Sequence, residues 1–277
     1  MKQMTLGEIQ QESLSILKTV DRFCRERGIR YGLAYGTLLG AVRHKGFIPW
    51  DEDIDVMMLR PDYDRFVREF KAPGLKLYAP ETDDHCWLAF ARVCDTEKTV
   101  VRTLIPWVDP KAEDTGLWID IFPLDPVPDD TEAYTAVYNK AHALYKELAH
   151  FRRTKGKVSA EFPARRRRKN FLQKLLHPIW HFSDPRVPRD KFLRFLKELP
   201  PYGTTDHVGR LTNANCIGDC FLRADFENPV RLPFEDGEFF APRGYDQVLT
   251  GMYGDYMQLP PEDQRVYRPE YVKFYWK

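Results

Sequence analysis

The segment Gly36-Thr-Leu-Leu-Gly-Ala-Val-Arg-His-Lys-Gly-Phe-Ile-Pro-Trp-Asp-Glu-Asp-Ile-Asp-Val-Met-Met58 decides how the chain is read. Asp51, Asp53 and Asp55 alternate with other residues and run into an apolar tail. Residues two apart on a strand share a face. Asp53 and Asp55 therefore project together, Asp51 can join them from the strand's entrance, and Ile54 and Val56 face a core. Paired carboxylates repel unless a cation neutralises them. An all-oxygen set suits Mg²⁺ or Mn²⁺ better than zinc. An isolated Asp-x-Asp is ordinarily a solvated strand end, but here Gly36-Thr37 lies one loop away at a strand-to-helix turn. Helix N-termini bind phosphate through their N–H groups, and glycine lets the backbone come close. A phosphate turn beside paired carboxylates is the layout that phosphoryl or nucleotidyl transfer requires.

The flanking sequence is consistent with that turn. Upstream, Thr5-Leu-Gly-Glu8 has capping-box spacing and opens a helix with Leu6, Ile9, Ile16, Leu17, Val20 and Phe23 on one face; Gly28 ends it. Ile29 to Tyr35 reads as a short strand, Leu38 to Val42 as the start of a helix, and Asp53 to Met58 as the second strand. Pro61 sits where another helix begins. Further strands are expected at Leu75–Tyr78, Trp87–Cys94, Thr99–Arg102 and Trp118–Phe122, with Pro123, Pro126 and Pro128 closing the block. Strands separated by helices give an α+β sheet core. Within Trp118-Ile-Asp-Ile-Phe122, Asp120 faces away from Ile119 and Ile121. An acid in an apolar strand needs a partner, and a metal on Asp53 and Asp55 would supply one. Asp125 falls after Pro123, in an expected loop.

The chain divides into a core over 1–129, a basic helical insertion over 130–200 and a C-terminal part over 201–277. Between Arg152 and Lys174 stand ten bases against the single acid Glu161. Arg165-Arg-Arg-Arg-Lys169 precedes Phe171, Leu172, Leu175 and Leu176 at helical spacing. That pattern suits either a peripheral helix on an anionic membrane surface or a solvated basic face.

Composition sets outer limits. With 277 residues, 42 Lys+Arg and 41 Asp+Glu, the chain can bury a large core but has no global charge for nucleic acid, and no nucleic-acid partner is expected. No apolar run reaches the roughly 20 residues that span a bilayer, and the first residues lack a signal-peptide core, so a cytoplasmic protein is expected. The five cysteines, Cys24, Cys86, Cys94, Cys216 and Cys220, read as reduced thiols rather than a zinc set.

The segment Gly36 to Asp55, the block Trp118-Ile-Asp-Ile-Phe-Pro-Leu-Asp125 and the block Tyr253-Gly-Asp-Tyr-Met-Gln-Leu-Pro260 together resemble the LicD family, which includes fukutin-related proteins. One departure is Glu52, where the family often has Asp; Glu52 is expected to face away from the metal. The resemblance implies a nucleotidyltransferase-like (polymerase-beta-like) mixed sheet flanked by helices. It also implies metal-dependent transfer of a phosphoryl-linked group, most often phosphocholine, from a CDP-activated donor to a cell-surface glycan or its lipid-linked precursor.

On this reading Asp53, Asp55 and Asp120 are catalytic and metal-holding, with Asp51 a further candidate ligand and Asp120 or Asp51 the general base. Gly36, Thr37, Arg43, Lys45 and Arg92 would bind substrate phosphates. The donor head group (choline, ethanolamine, ribitol or glycerol) stays open, with Trp50, Trp107, Trp118, Tyr245 and Tyr253 near the motif blocks. Competing readings are a nucleotidyltransferase moving NMP, a nucleic-acid-binding module using the arginine run, and an inactive adaptor.

Overall fold

A computed structural model describes residues 1–108, 115–155, 160, 162–212, 217–269 and 271–277. Cys216 and Glu161, named above, lie outside them, as does Lys157, one of the ten bases. The chain opens with α1 (Leu6–Arg27), whose Thr5–Glu8 capping box is complete and whose C-cap Gly28 takes φ 61°. It continues through β1 (Gly32–Leu33), α2 (Tyr35–Arg43), β2 (Asp55–Leu59), α3 (Arg60–Glu69), β3 (Leu75–Tyr78), β4 (Ala91–Asp95), β5 (Thr99–Thr103) and β6 (Trp118–Pro126). Four helices follow: α4 (Thr131–Lys155), α5 (Ala164–Leu176), α6 (Pro178–Phe182) and α7 (Arg186–Leu196). The remainder holds β7 (His207–Gly209), β8 (Cys220–Leu222), α8 (Arg223–Glu227), β9 (Val230–Phe234), β10 (Gly237–Ala241), α9 (Tyr245–Tyr253) and β11 (Val272–Trp276).

The central sheet has strand order β1-β2-β6-β4-β3 and is extended by β7 and β8 from the far end of β6. Only β2 and β6 run parallel; the other pairs are antiparallel. The architecture is thus mixed α+β, as the sequence pattern implied. Two short ribbons, β9–β10 and β5–β11, flank the sheet. One sheet face packs Ile54, Val56, Ile119 and Ile121 against α1 residues such as Ile16, Leu17 and Val20. The other face buries Met57, Leu59, Phe122 and Leu124 with Tyr78 and Trp107.

The first strand is shorter than expected, with α2 starting at Tyr35, and β4 starts at Ala91 rather than Trp87; two further boundary differences bear on the site. The second strand starts at Asp55, not Asp53, because the Asp55 N–H is taken by the Thr37 hydroxyl at 2.9 Å. The strand beginning at Trp118 runs through the prolines to Pro126. Proline is tolerated where no ladder donor is needed. Pairing with β4 stops at Ile121 and pairing with β7 starts at Asp125, so Pro123 falls in the gap between them. Asp125 is therefore a buried strand residue, held by Arg60 at 2.6 and 2.8 Å, and not part of a loop.

Candidate active site

Strand register assembles the acids. Parallel pairing sets Asp55 opposite Asp120, and antiparallel pairing sets Asp120 opposite Arg92. Registered partners share a face, so one row runs Asp55–Asp120–Arg92 across three strands. Asp53 stands just before β2, open to solvent at the lip of the site with protein packed densely behind it. The turn into α2 fixes this end. Tyr35 is left-handed at φ 47°, an outlier for a bulky residue that surrounding packing must hold. The Thr37 side chain is buried and its hydroxyl accepts the Asp55 N–H. Any β-carbon at position 36 would clash with the Asp51 carboxylate, so glycine is what lets Asp51 lie against the turn. The first turn of α2 carries no acid and no side-chain cap, which leaves its amides for an anion.

The cluster is short of positive charge. Burial, then the charges of Asp51 and Asp120, push Asp53 up to about 8. Burial, then Asp53 and Asp120, raise Asp55, and Arg210 opposes that rise. Burial also raises Asp51, whose carboxyl shares a hydrogen bond with Asp53 and so requires a proton between them. Glu52 is pushed up to about 7 by burial and then by Asp53. Among the described residues, no three His, Cys, Asp or Glu side chains are already drawn to metal-ligand spacing. A cation would relieve this crowding of like charges, and the donors are all carboxylate oxygens. Asp53 and Asp55, with Asp51 beside them, therefore fit a hard divalent ion.

Asp120, expected to need a partner, has one in the protein itself. Arg92 donates from Nε to Oδ1 at 2.5 Å and from Nη2 to Oδ2 at 3.1 Å. Its guanidinium lies 4.1 Å over Trp118 and 4.8 Å over Trp107. The register that makes the row also makes the pair. Behind Arg92 is a cavity of about 220 Å³ lined by Arg92, Arg152, Arg153, Trp107, Trp118 and Tyr271, among others. Arg152 is buried and donates to the Pro106 carbonyl at 3.2 Å; burial chiefly pulls it down to about 10. Among the described residues neither Arg152 nor Arg153 has a carboxylate partner, so this recess favours an anion.

Arg43 and Lys45 do not join the turn. They lie at the other end of α2, roughly 10 Å along its axis from Gly36. Arg43 donates to the carbonyls of Tyr256 at 2.7 Å and Gln258 at 3.3 Å, and Lys45 donates to Val42 at 3.1 Å. His44 accepts from Arg43 Nε at 2.9 Å and is likewise remote from the turn. Adjacent in sequence to the phosphate turn, these residues are separated from it by a helix.

Sequence reasoning missed Arg210 and Asp219, which flank the β7–β8 connection. Arg210 donates to Asp219 through Nε at 3.0 Å and through Nη2, and both are buried. The same guanidinium lies 4.6 Å over Tyr35 and 5.2 Å over Phe122. It thus clamps the left-handed residue that starts α2 and places a positive charge beside Asp55. In sequence it reads as an ordinary charge between strands. A second cavity, of about 490 Å³, opens against Trp50, Tyr253, Tyr256, Leu39, Ile48 and Arg43, among others. Tyr253 links it to the acids: burial, then Asp55 and Asp51, push its phenol up to about 12.

Residues 28–155 match the family model described as LicD/FKTN/FKRP, nucleotidyltransferase domain. The chain is 32% identical over 281 residues to the lipopolysaccharide cholinephosphotransferase LicD of Haemophilus influenzae, covering 99% of this chain and 98% of that protein. Shorter similarities link it to uncharacterized proteins of Rickettsia typhi (34% identity over 22% of this chain and 21% of that protein) and Rickettsia prowazekii (40% over 17% and 18%).

Proposed function

The chain belongs to the LicD family, and from that premise we propose that it is a transferase moving phosphocholine from a CDP-activated donor to a lipopolysaccharide-type glycan or its lipid-linked precursor. The observation that carries this reading is the row Asp55–Asp120–Arg92 with Asp53 at its lip: carboxylates for a divalent ion next to arginines for phosphate. A parallel strand pair whose acids follow a Gly-Thr turn is consistent with a nucleotidyltransferase-like sheet.

Asp53 and Asp55 would hold Mg²⁺ or Mn²⁺, with Asp120 completing the set and Asp51 next in line. The ion would supply neutralisation of the donor's phosphates and of the departing CMP. Thr37 fixes the Asp55 backbone, and the open amides of α2 face the phosphate. Arg92 binds anionic oxygen through charge-assisted contacts, with Arg152 and Arg153 adding to the attraction from behind it. Asp120, tied by Arg92, is held in the position from which it would take the proton of an acceptor hydroxyl.

For the head group, the 490 Å³ cavity presents Trp50, Tyr253 and Tyr256. Aromatic walls attract a quaternary ammonium, and the Arg43 charge there is turned onto the Tyr256 and Gln258 carbonyls. This favours choline over the ribitol and glycerol alternatives. The test is CMP release from CDP-choline, CDP-ethanolamine, CDP-ribitol and CDP-glycerol with Mg²⁺, with and without glycan acceptors. Metal-dependent CMP release with CDP-choline is expected. Pyrophosphate release from a nucleoside triphosphate would instead establish nucleotidyl transfer, and no metal-dependent activity with any donor would overturn the reading.

A further inference from the structure

The helix α5 presents two unlike faces. Its inner face is built into the protein. Asn170 is buried and donates to the carbonyls of Leu104 at 3.2 Å and Arg153 at 3.1 Å, and the Arg166 guanidinium lies 4.4 Å over Tyr271. Its outer face begins with Arg165, Arg168 and Lys169, all exposed. None of the three is ion-paired among the described residues. Leu172, Leu175 and Leu176 then continue the same face, and α6, next in the chain, exposes Ile179 and Phe182. Exposure along this stripe runs from 41% at Leu172 through 68% at Leu176 to 84% at Phe182.

A stripe of large apolar side chains exposed to water is unfavourable relative to burial. Such a patch on a soluble surface marks an interaction site. What it fits is set by the bases at its end. A helix with apolar residues on one side and unpaired Lys/Arg at the boundary lies in the interface plane, apolar residues in the acyl boundary and bases at anionic headgroups. No helix among the described residues is long and apolar enough to cross a membrane, so the contact would be peripheral.

We propose that the outer face of α5–α6 docks the protein on an anionic bilayer. The position is functionally apt. The inner face of α5 packs on Tyr271 and Arg153, which line the arginine cavity behind Arg92. A helix with its side chains is about 10–12 Å across. A bilayer on the outer face would therefore lie about one helix diameter from the rim of the site, within reach of a lipid-linked acceptor. Docking itself does not depend on the donor or the reaction.

The test is co-sedimentation of the full chain with phosphatidylglycerol/phosphatidylcholine vesicles and with phosphatidylcholine alone. The wild type should pellet with the anionic vesicles, weakly with the neutral ones, and less as salt rises. Replacing Arg165, Arg168 and Lys169 by glutamine should lower anionic binding on the order of a hundredfold, about fivefold per base. Leu175→Asp with Leu176→Asp should abolish pelleting while leaving circular dichroism and CMP release from a soluble donor unchanged. A wild type that stays in the supernatant overturns the proposal, as do variants that pellet like the wild type. A patch that instead holds two copies together would give a dimer in light scattering that Leu175→Asp dissociates, with no vesicle binding, and that also overturns it.

Discussion

Replacing Arg92 by methionine tests the central pair of the row. Methionine keeps much of the stem's packing between Trp107 and Trp118 and removes the guanidinium. The structure sets the size of the effect. Arg92 makes two hydrogen bonds to an ionised partner, and the side chains are only 12% and 14% exposed. Breaking a buried pair from one side costs about 3–5 kcal/mol, because the remaining charge is stranded. Some water reaches this pair, which puts the expected loss near the lower end, about 3 kcal/mol. For chains somewhat smaller than this one, 1 kcal/mol moves Tm by about 2–4 °C, so a fall of about 6–12 °C is expected.

The stranded charge is Asp120, beside Asp53 and Asp55, which supplies the sharper tests. In a double-mutant cycle of Arg92→Met and Asp120→Asn, the double variant should be destabilised less than the sum of the singles, by about 2–3 kcal/mol. Mg²⁺ should raise the Tm of Arg92→Met more than that of the wild type, because the variant has one more uncompensated carboxylate. Scanning fluorimetry and urea titration measure both. Additivity within about 0.5 kcal/mol would show that the two groups are not energetically paired. Equal Mg²⁺ shifts would show that Asp120 does not share the field of Asp53 and Asp55.

Three other outcomes follow from the site. Asp53→Asn should lower CMP release by several orders of magnitude with the far-ultraviolet spectrum intact, and near-wild-type turnover would remove Asp53 from the chemistry. Thr37→Val should leave the Asp55 N–H without its acceptor, costing about 1–3 kcal/mol in urea denaturation, together with reduced turnover; an unchanged stability would mean that water replaces the hydroxyl. The third concerns pH. Asp53 is raised from its ordinary value near 3.8 to about 8, so the folded state holds more protons than the unfolded one. This contribution to stability is complete at acid pH and fades as pH rises from about 4 through about 8. Urea midpoints measured in EDTA should fall over that window and fall less with saturating Mg²⁺; a profile flat in EDTA would contradict the crowding of the acids.

The parts of the fold legible in the sequence are those fixed by local chemistry. The capping box at Thr5 and the left-handed Gly28 depend on neighbouring residues only, and the alternation around Asp120 follows from the two-residue period of a strand. What the sequence left open was placement in the third dimension. Arg43 and Lys45 follow Gly36-Thr37 closely in sequence, but they stand at the far end of α2, where their side chains turn to the carbonyls of Tyr256, Gln258 and Val42. The strand through Pro123 was cut short because proline is usually a breaker. Only the register of two separate neighbours, β4 and β7, shows that no ladder donor is needed there.

The same limit explains why the acids were readable and most of their partners were not. Asp53 and Asp55 announce themselves by spacing. A buried arginine looks like a surface arginine in sequence, since charged residues are overwhelmingly exposed and only pairing permits burial. Arg92 is paired with Asp120, 28 residues away, Arg152 lies against the Pro106 carbonyl with no carboxylate partner among the described residues, and Arg210 is paired with Asp219 and stacked on Tyr35. Arg152 was counted with the basic run, although its side chain lies under the site and not on the solvent face of α4. Arg210 has the largest consequence of the three. It holds Asp219, lies over the left-handed Tyr35 and offsets part of the charge on Asp55, so it joins the β7–β8 hairpin to the phosphate turn. The turn is therefore not a self-contained motif. Its geometry depends on a hairpin that begins more than 150 residues later in the chain.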